Sequence, residues 1–395
     1  MNYILFGDQA REHLLPFTFV RPLADIRVGM LTIREKWEHF LQTKTSSLTL
    51  DHLSRKYPLV KEDDNVLVNS SVYPTAGLVK EISKLSPNQT LVCGDTLIAH
   101  RLKAEDIDNL DADLLETVTP LESGCNISRL TCLYDIIVHN RRELLNDFRL
   151  VTRGRESQPI PSHVRTVNPE HIFIETGATL EMALINASEG PVYIGKDALV
   201  MDGAMIRGPV AIGEGATVKM AAKIYANTSV GPYCKVAGEI TESILFGYSN
   251  KAHDGFLGHS VVGEWCNLAA GTDVSNLKIN YDDIRLWDYA ENSFVMTGSR
   301  FCGAFIGDHV KTGISTMLNT GTVLGVNAQV YGSGFMRNFI PSFTRSSMAG
   351  HSIIHIDKAI ATAQRVYARR GKELDKVDED ILRHVFQQTI AYRNI

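Results

Sequence analysis

The run Ser249-Asn250-Lys251-Ala252-His253-Asp254-Gly255-Phe256-Leu257-Gly258-His259 brings a histidine among polar and small residues. An imidazole titrates near neutral pH and can take a proton from a nucleophile, so His253 is a candidate general base. By residue type alone it reads more readily as a solvated loop histidine. His259 and His309, which follow Gly258 and Asp308, are the competing bases. Lys235, Lys251 and Lys278 offer compact point charges that suit a phosphate, or are solvated lysines. Asn267 and Asn276 offer amides for a polar ligand, or bond to backbone at a turn. Near the N-terminus, Arg11, Arg21 and Arg27 carry guanidinium forks that can grip phosphate at two points.

The element that must position the histidine is a ladder. Ile194, Val200, Ile206, Ile212, Val218, Ile224, Val230 and Val236 stand six residues apart. The ladder resumes at Val262, Leu268 and Val274, and again at Ile306, Thr312, Leu318, Leu324 and Val330. A period of six fits neither a helix nor a lone strand. It fits a chain coiling as a triangular prism, with one aliphatic residue pointing inward at each step and parallel strands stacking between coils. Two stretches interrupt it, 237–261 and 275–305, and excursions from a rigid coil are where function tends to sit.

The first part of the chain reads differently. Tyr3–Phe6, Ser47–Leu50, Asn65–Asn69 and Thr90–Val92 are expected strands. Helices are expected over 23–41, 76–85 and 130–145, with Ile26, Met30, Ile33 and Trp37 on one face of the first. The alternation predicts an α/β domain with a mostly parallel sheet. The expected division is residues 1–150, a polar and Pro-containing linker at 151–162, the coil at 163–345, and a helical tail at 346–395 broken near Gly371. A net charge of −5 gives no electrostatic reason to expect nucleic acid or an anionic membrane. Six scattered cysteines without a CxxC pair predict reduced thiols and a cytoplasmic protein. Neither a signal peptide nor a membrane-spanning run is expected.

The segments Asn250-Lys251-Ala252-His253, Phe256-Leu257-Gly258, Asn267-Leu268-Ala269-Ala270-Gly271-Thr272 and Ser275-Asn276-Leu277-Lys278 resemble the acetyltransferase half of a bacterial bifunctional family. That family joins N-acetylglucosamine-1-phosphate uridyltransferase to glucosamine-1-phosphate N-acetyltransferase. Its pattern is Lys-Ala-x-His, Tyr-Leu-Gly, Val-Asn-Ile-Gly-Ala-Gly-Thr, then Cys-Asn-Tyr. The chain most resembles the divergent version found in Bacteroidetes-type bacteria. The resemblance implies an α/β N-terminal nucleotidyltransferase-like (Rossmann-like) domain, then a left-handed parallel β-helix of hexapeptide repeats with a helical tail. It implies His253 as catalytic base, with Asn267, Lys278, Lys251 and Lys235 toward the sugar phosphate. It places Asn276, Gly313 and Ser315 toward acetyl-CoA, where Met296–Arg300 and Gly313–Thr322 follow the pantetheine arm. The Cys-Asn-Tyr of the family is here Ser275-Asn276-Leu277, and an Asn-Tyr-Asp follows at Asn280-Tyr281-Asp282, which leaves two registers for this loop.

The N-terminal match is looser. Sugar nucleotidyltransferases carry Gly-x-Gly-Thr-Arg and later Pro-Lys-Pro after the first strand, where backbone N–H groups and basic side chains hold nucleotide phosphates. Here Gly7, Leu15, Thr18 and Pro22 match, while Gln9 and Leu23 replace the second glycine and the lysine. The resemblance implies nucleotide contacts at Gly7, Arg11, Thr18 and Arg21. For the family's Mg²⁺-binding Asp, the Val66–Asn69 register offers Asn or Ser, and Gly94-Asp95 offers Asp95 one strand later.

The expected function is acetyl-CoA-dependent N-acetylation of a hexosamine 1-phosphate by a homotrimer, in nucleotide-sugar synthesis. Mg²⁺ and a nucleotide triphosphate or nucleotide sugar follow if the N-terminal domain is active. One alternative is nucleotidyl transfer from UTP or dTTP, with the β-helix serving trimerisation. Another is a non-catalytic sugar-nucleotide-binding protein.

Overall fold

The structure, a computed structural model, describes residues 1–107 and 120–393. Met1–Leu14, Val20–Ile26 and Leu31–Cys132 form one compact unit; Leu15–Phe19, Arg27–Met30 and Leu133–Ile395 form the other.

The first unit holds a six-stranded sheet in the order Thr45–Leu48, Asn2–Phe6, Asn65–Asn69, Thr96–Leu102, Gln89–Cys93, Leu121–Glu122. Asn2–Phe6 pairs in parallel with both of its neighbours. Thr96–Leu102 runs antiparallel to both of its own, so the sheet is mixed. The cause is a hairpin at Gly94-Asp95: Cys93 pairs with Thr96, and Gly94 takes φ +53°. Such two-residue turns need positive φ and pull consecutive strands antiparallel.

The helix expected over 23–41 is shorter. A 3₁₀ turn covers Leu23–Asp25 and the α-helix begins at Ile33. Thr32 starts it: its Oγ1 accepts from the Glu35 N–H at 3.1 Å, and the Glu35 carboxylate accepts from the Thr32 N–H at 2.6 Å. Trp37 is buried, and its indole N–H donates to Val72 O at 3.0 Å. Gly29 explains the break before it. At φ +81°, with any Cβ meeting Asp147 Oδ2 at 2.5 Å, only glycine fits. Around Gly29 the chain belongs to the second unit, where Gly29 N donates to Asn140 Oδ1 and Met30 N to Asp147 Oδ2, both at 2.8 Å.

The long segment of the second unit opens with the helix Leu133–Thr152. It passes the expected boundary at 150, and the first unit ends at Cys132. The buried Asn140 amide accepts from Ser229 Oγ at 3.0 Å and donates to Asn227 O at 2.7 Å, tying the helix to the coil.

The coil is a left-handed parallel β-helix. One flat side is a nine-stranded sheet from Ile172–Ile174 to Phe339–Ile340, and another an eight-stranded sheet from Arg165–Val167 to Met317–Leu318. The third side is built from a five-stranded and a four-stranded sheet. Ile194 pairs with Ile212 and Ile212 with Val230, so three six-residue steps complete one turn. The whole first ladder is buried, with Ile194, Val200, Ile212, Val218 and Val236 at 0% exposure. Each such side chain contributes about 1.5–3 kcal/mol by leaving water. Ile212→Ala is expected to cost about 2–5 kcal/mol, read from the denaturant midpoint, because a stacked prism cannot collapse onto the cavity.

The two interruptions differ. Residues 275–305 leave the coil: Arg285–Asp288 and Ser293–Met296 form an antiparallel hairpin, and the chain rejoins at Ala304–Ile306. Residues 237–261 do not leave it, contrary to expectation. Strands Glu239–Thr241, Ile244–Leu245, Asn250–Lys251 and Phe256–Gly258 continue the stacking. The period fails there because turns are shortened. Val236 pairs with Lys251 and Glu239 with Phe256, so a corner of two residues, Ala237-Gly238, stacks against one of four, Ala252–Gly255. Thr312, the polar rung of the later ladder, is satisfied inside: its Oγ1 meets Thr272 Oγ1 at 2.7 Å and accepts from Ala269 N at 2.9 Å.

The tail forms helices Ile356–Ala368 and Lys376–Gln388. Tyr367 stacks on Trp265 with ring centroids 3.8 Å apart, at the end of a column running through Tyr248 and Tyr233. All six cysteines are free thiols, three of them buried. Among the described residues, no helix is long and apolar enough to cross a membrane.

Candidate functional site

His253 sits in the corner Ala252–Gly255, between strands Asn250–Lys251 and Phe256–Gly258. It is exposed, and among the described residues its ring makes no hydrogen bond. Its backbone carbonyl accepts from Lys251 Nζ at 2.6 Å.

Lys251 corrects an expectation. It occupies a ladder position, pairing with Val236, and is 0% exposed. Its ammonium points into the prism and cannot meet a sugar phosphate on the surface. Burial pushes its pKa down to about 8, against the opposing pull of Asp273 and Asp254. Lys278 is corrected in part: its ammonium donates to Asp283 O at 2.6 Å and ties down its own loop.

Lys235 and Asn267 are brought together. Lys235, Asn250, Asn267 and Lys311 form one outward column across successive coils. Asn250 Nδ2 donates to Asn267 Oδ1 at 3.3 Å, and Arg370 from the tail donates to Asn250 Oδ1 at 2.8 Å. Lys235 is held below the usual lysine range, first by burial and then by Arg370, Lys219 and Arg369. Like charges gathered in this way favour an anion.

Asn276 lies one coil from Gly258 and pairs with His259, its Nδ2 being 2.9 Å from His259 Nδ1. The His259 ring stacks on Phe301 at 5.2 Å, and burial pushes its pKa down to about 4. With the amide donating to Nδ1, the ring proton sits on Nε2, which makes His259 a neutral donor rather than a base. The sequence marked both residues but not their pairing, which depends on coils that the shortened turns had hidden. His309 is taken up elsewhere, 7% exposed and stacked toward Tyr367 at 6.2 Å.

Gly313 and Ser315 hold coil positions. A Cβ on Gly313 would meet Tyr331 Cβ at 2.7 Å, so stacking alone accounts for the glycine. Ser315 is exposed at a corner with φ +56°, and its N–H donates to Ala270 O at 2.8 Å.

In the first unit, Gly7 is exposed, and a Cβ there would meet nothing nearer than 3.6 Å. Arg11 pairs with Glu12. Arg21 is 4% exposed. Thr18 is fully buried and belongs to the second unit. The sequence missed Asp8. Its Oδ2 accepts from Asn69 Nδ2 at 2.9 Å, Ser71 Oγ at 3.0 Å and Arg129 Nη2 at 2.5 Å, while Oδ1 accepts from Ala10 N at 3.0 Å. This network caps the carboxyl ends of Asn2–Phe6 and Asn65–Asn69, beside the strand where sheet order reverses, the usual ligand position of open α/β sheets. Asp95, the candidate metal ligand, is exposed on a hairpin turn. Among the described residues no group of three His, Cys, Asp or Glu side chains could hold a metal ion.

Residues 3–156 match a family model described as "Sugar nucleotidyl transferase". This segment is thus similar to sugar nucleotidyl transferases. A bifunctional sugar-1-phosphate nucleotidylyltransferase/acetyltransferase from Sulfurisphaera tokodaii is 33% identical over 93 residues, 24% of this chain and 23% of that one. Bifunctional protein GlmU from Synechococcus elongatus is 21% identical over 287 residues, 65% of this chain and 58% of its own. The chain thus spans from under a quarter to somewhat over half the length of these relatives. Among solved structures, the polySia specific acetyltransferase NeuO matches 53% of this chain and 91% of its own at 15% identity, with a TM-score of 0.26. The likeness to bifunctional nucleotidylyltransferase/acetyltransferases read from the sequence motifs is borne out at low identity.

Proposed function

We propose that the protein transfers an acetyl group from acetyl-CoA to the amine of a hexosamine 1-phosphate, with His253 as base. The amine attacks the thioester carbonyl and His253 accepts a proton from the nitrogen. The tetrahedral intermediate collapses with loss of the CoA thiolate, which takes up a proton to leave as the thiol. Backbone N–H groups stabilise the oxyanion. One observation carries the choice of base. His253 is exposed and unengaged, whereas His259 has Nδ1 occupied and its pKa driven to about 4. A base that weak is mismatched to neutral pH.

Lys235 and Asn267 are the groups we assign to the sugar phosphate, and Asn276 with Ser315 to the acetyl-CoA side. We assign the chain a homotrimer. An outward apolar stripe of Val167, Leu184, Met205 and Tyr225, each 40–48% exposed, supports association through this flat side of the prism. The first unit is assigned to binding a nucleotide or nucleotide sugar near Asp8 and Arg129. The test is thiol release from acetyl-CoA with glucosamine 1-phosphate present. Release that requires the sugar is expected; none with any hexosamine 1-phosphate would overturn the reading.

A further inference from the structure

The prism corner that carries His253 is built unlike the other four-residue corners named in its column. In the four-residue corners after Val200, Val218, Leu268 and Thr312, the third residue takes the left-handed conformation: Gly203 at φ +70°, Ala221 at +57°, Gly271 at +68° and Ser315 at +56°. In the corner Ala252–Gly255 the third residue, Asp254, does not. The fourth, Gly255, takes φ +126° instead. Elsewhere the third residue's N–H bonds to the second residue's carbonyl one coil back, as Ala221 N to Asp202 O at 3.0 Å and Ser315 N to Ala270 O at 2.8 Å. By that rule Gly271 N should reach His253 O. It reaches Asp254 O at 2.9 Å. The carbonyl of His253 is taken from inside the prism, by Lys251 Nζ.

A lysine in an aliphatic ladder needs a reason, because an ammonium stripped of water is costly and one carbonyl repays little of it. Its neighbours along the stack are Val236 and Leu268, both buried and apolar. Two carboxylates act on it: Asp254 on the corner itself and Asp273 on the following coil, whose Oδ1 accepts from Phe256 N at 2.6 Å. Gly255 makes room: a Cβ there would lie 3.2 Å from the ammonium and 2.3 Å from Thr272 O.

We propose that Lys251 is a positioning residue for His253. Its protonated ammonium holds the His253 carbonyl, displaces the ordinary bond between coils, and so sets the direction in which the imidazole is presented. This rests on His253 being the base. Lys251 touches no substrate; it acts through the backbone. Loss of its proton weakens the hold, because a neutral amine donates a weaker hydrogen bond than an ammonium, so turnover should fall on the alkaline side, near pH 8.

The test is Lys251→Met in the full chain, with Gly255→Ala beside it. Met suits the ladder, so Lys251→Met should fold with an unchanged or higher melting temperature. Its crystal structure is expected to show the common corner, with Asp254 at positive φ and Gly271 N bonded to His253 O. Its kcat is expected to fall at least about tenfold while KM for both substrates stays within about threefold, since displacement of one reacting group is felt in the chemical step. The alkaline limb near pH 8 should vanish. Gly255→Ala should lower kcat in the same way with the lysine present. A Lys251→Met structure that keeps φ near +126° at Gly255, or one that changes the corner without changing kcat, overturns the proposal. His253→Ala with undiminished turnover would instead sink the choice of base, and the corner geometry of Lys251→Met would still show whether the lysine shapes it.

Discussion

His253→Ala is expected to reduce acetyl transfer by about 10²–10⁴-fold, the usual worth of a positioned acid–base group. KM for acetyl-CoA should change little, and the thermal midpoint should hold, because the ring is exposed and supports no packing. His259→Ala should behave differently. It removes a ring stacked on Phe301 and bonded to Asn276, so stability and rate should fall together, and less steeply in rate. Steady-state kinetics and melting curves on both variants decide which histidine takes the proton. A His259→Ala loss larger than that of His253→Ala, with unchanged folding, would reverse the assignment.

The second large effect is on stability. Lys251 and Lys311 both carry buried ammonium groups whose pKa is pushed down to about 8 from 10.5, chiefly by burial. Below pH 8 both folded and unfolded chains hold these protons, and the cost of burial is fully present. Between about 8 and 10.5 the unfolded chain binds more protons than the folded one, so this contribution to stability rises with pH. A displacement of that size corresponds to about 3 kcal/mol per lysine. Cys234 and Cys266 act in the opposite sense: burial raises both thiols to about 12, so stability is lost as pH rises above 9. Comparison of variants separates the two. Lys251→Met should be more stable than the parent by up to about 3 kcal/mol at pH 7, and the advantage should shrink to nothing by about pH 10.5. Lys311→Met should gain less, because it strands two carbonyls, Trp265 O and His309 O, that the ammonium now satisfies. Urea midpoints at several pH values give the comparison. A pH-independent difference would show that the lysines carry no burial cost.

Much of the second unit was legible because its core is one-dimensional. Each ladder residue contacts its equivalent one turn away, so a strict spacing from Ile194 to Val236 can mean only one stacking. The spacing fails at Ala237-Gly238 because a corner lost two residues. A period cannot distinguish a shortened corner from an excursion, and 237–261 read as the latter. One signal was available: Leu245, Lys251 and Leu257 keep the six-residue step, which puts the lysine on the ladder. In the first unit the parallel half of the sheet was visible in its apolar runs. The antiparallel strand Thr96–Leu102 was not, because His100 and Arg101 break its apolar pattern. The Asp8 network escaped notice because it joins Asp8, Asn69, Ser71 and Arg129 from distant stretches through side-chain bonds alone. Thr18 and Arg21 follow the motif in type and are both buried.

The account stands most directly on one measurement. CoA release and pyrophosphate release should be followed on the same preparation, with acetyl-CoA and a hexosamine 1-phosphate in one arm and a nucleoside triphosphate, Mg²⁺ and a sugar 1-phosphate in the other. The account predicts sugar-dependent CoA release that His253→Ala abolishes. Pyrophosphate release without any CoA release would contradict it.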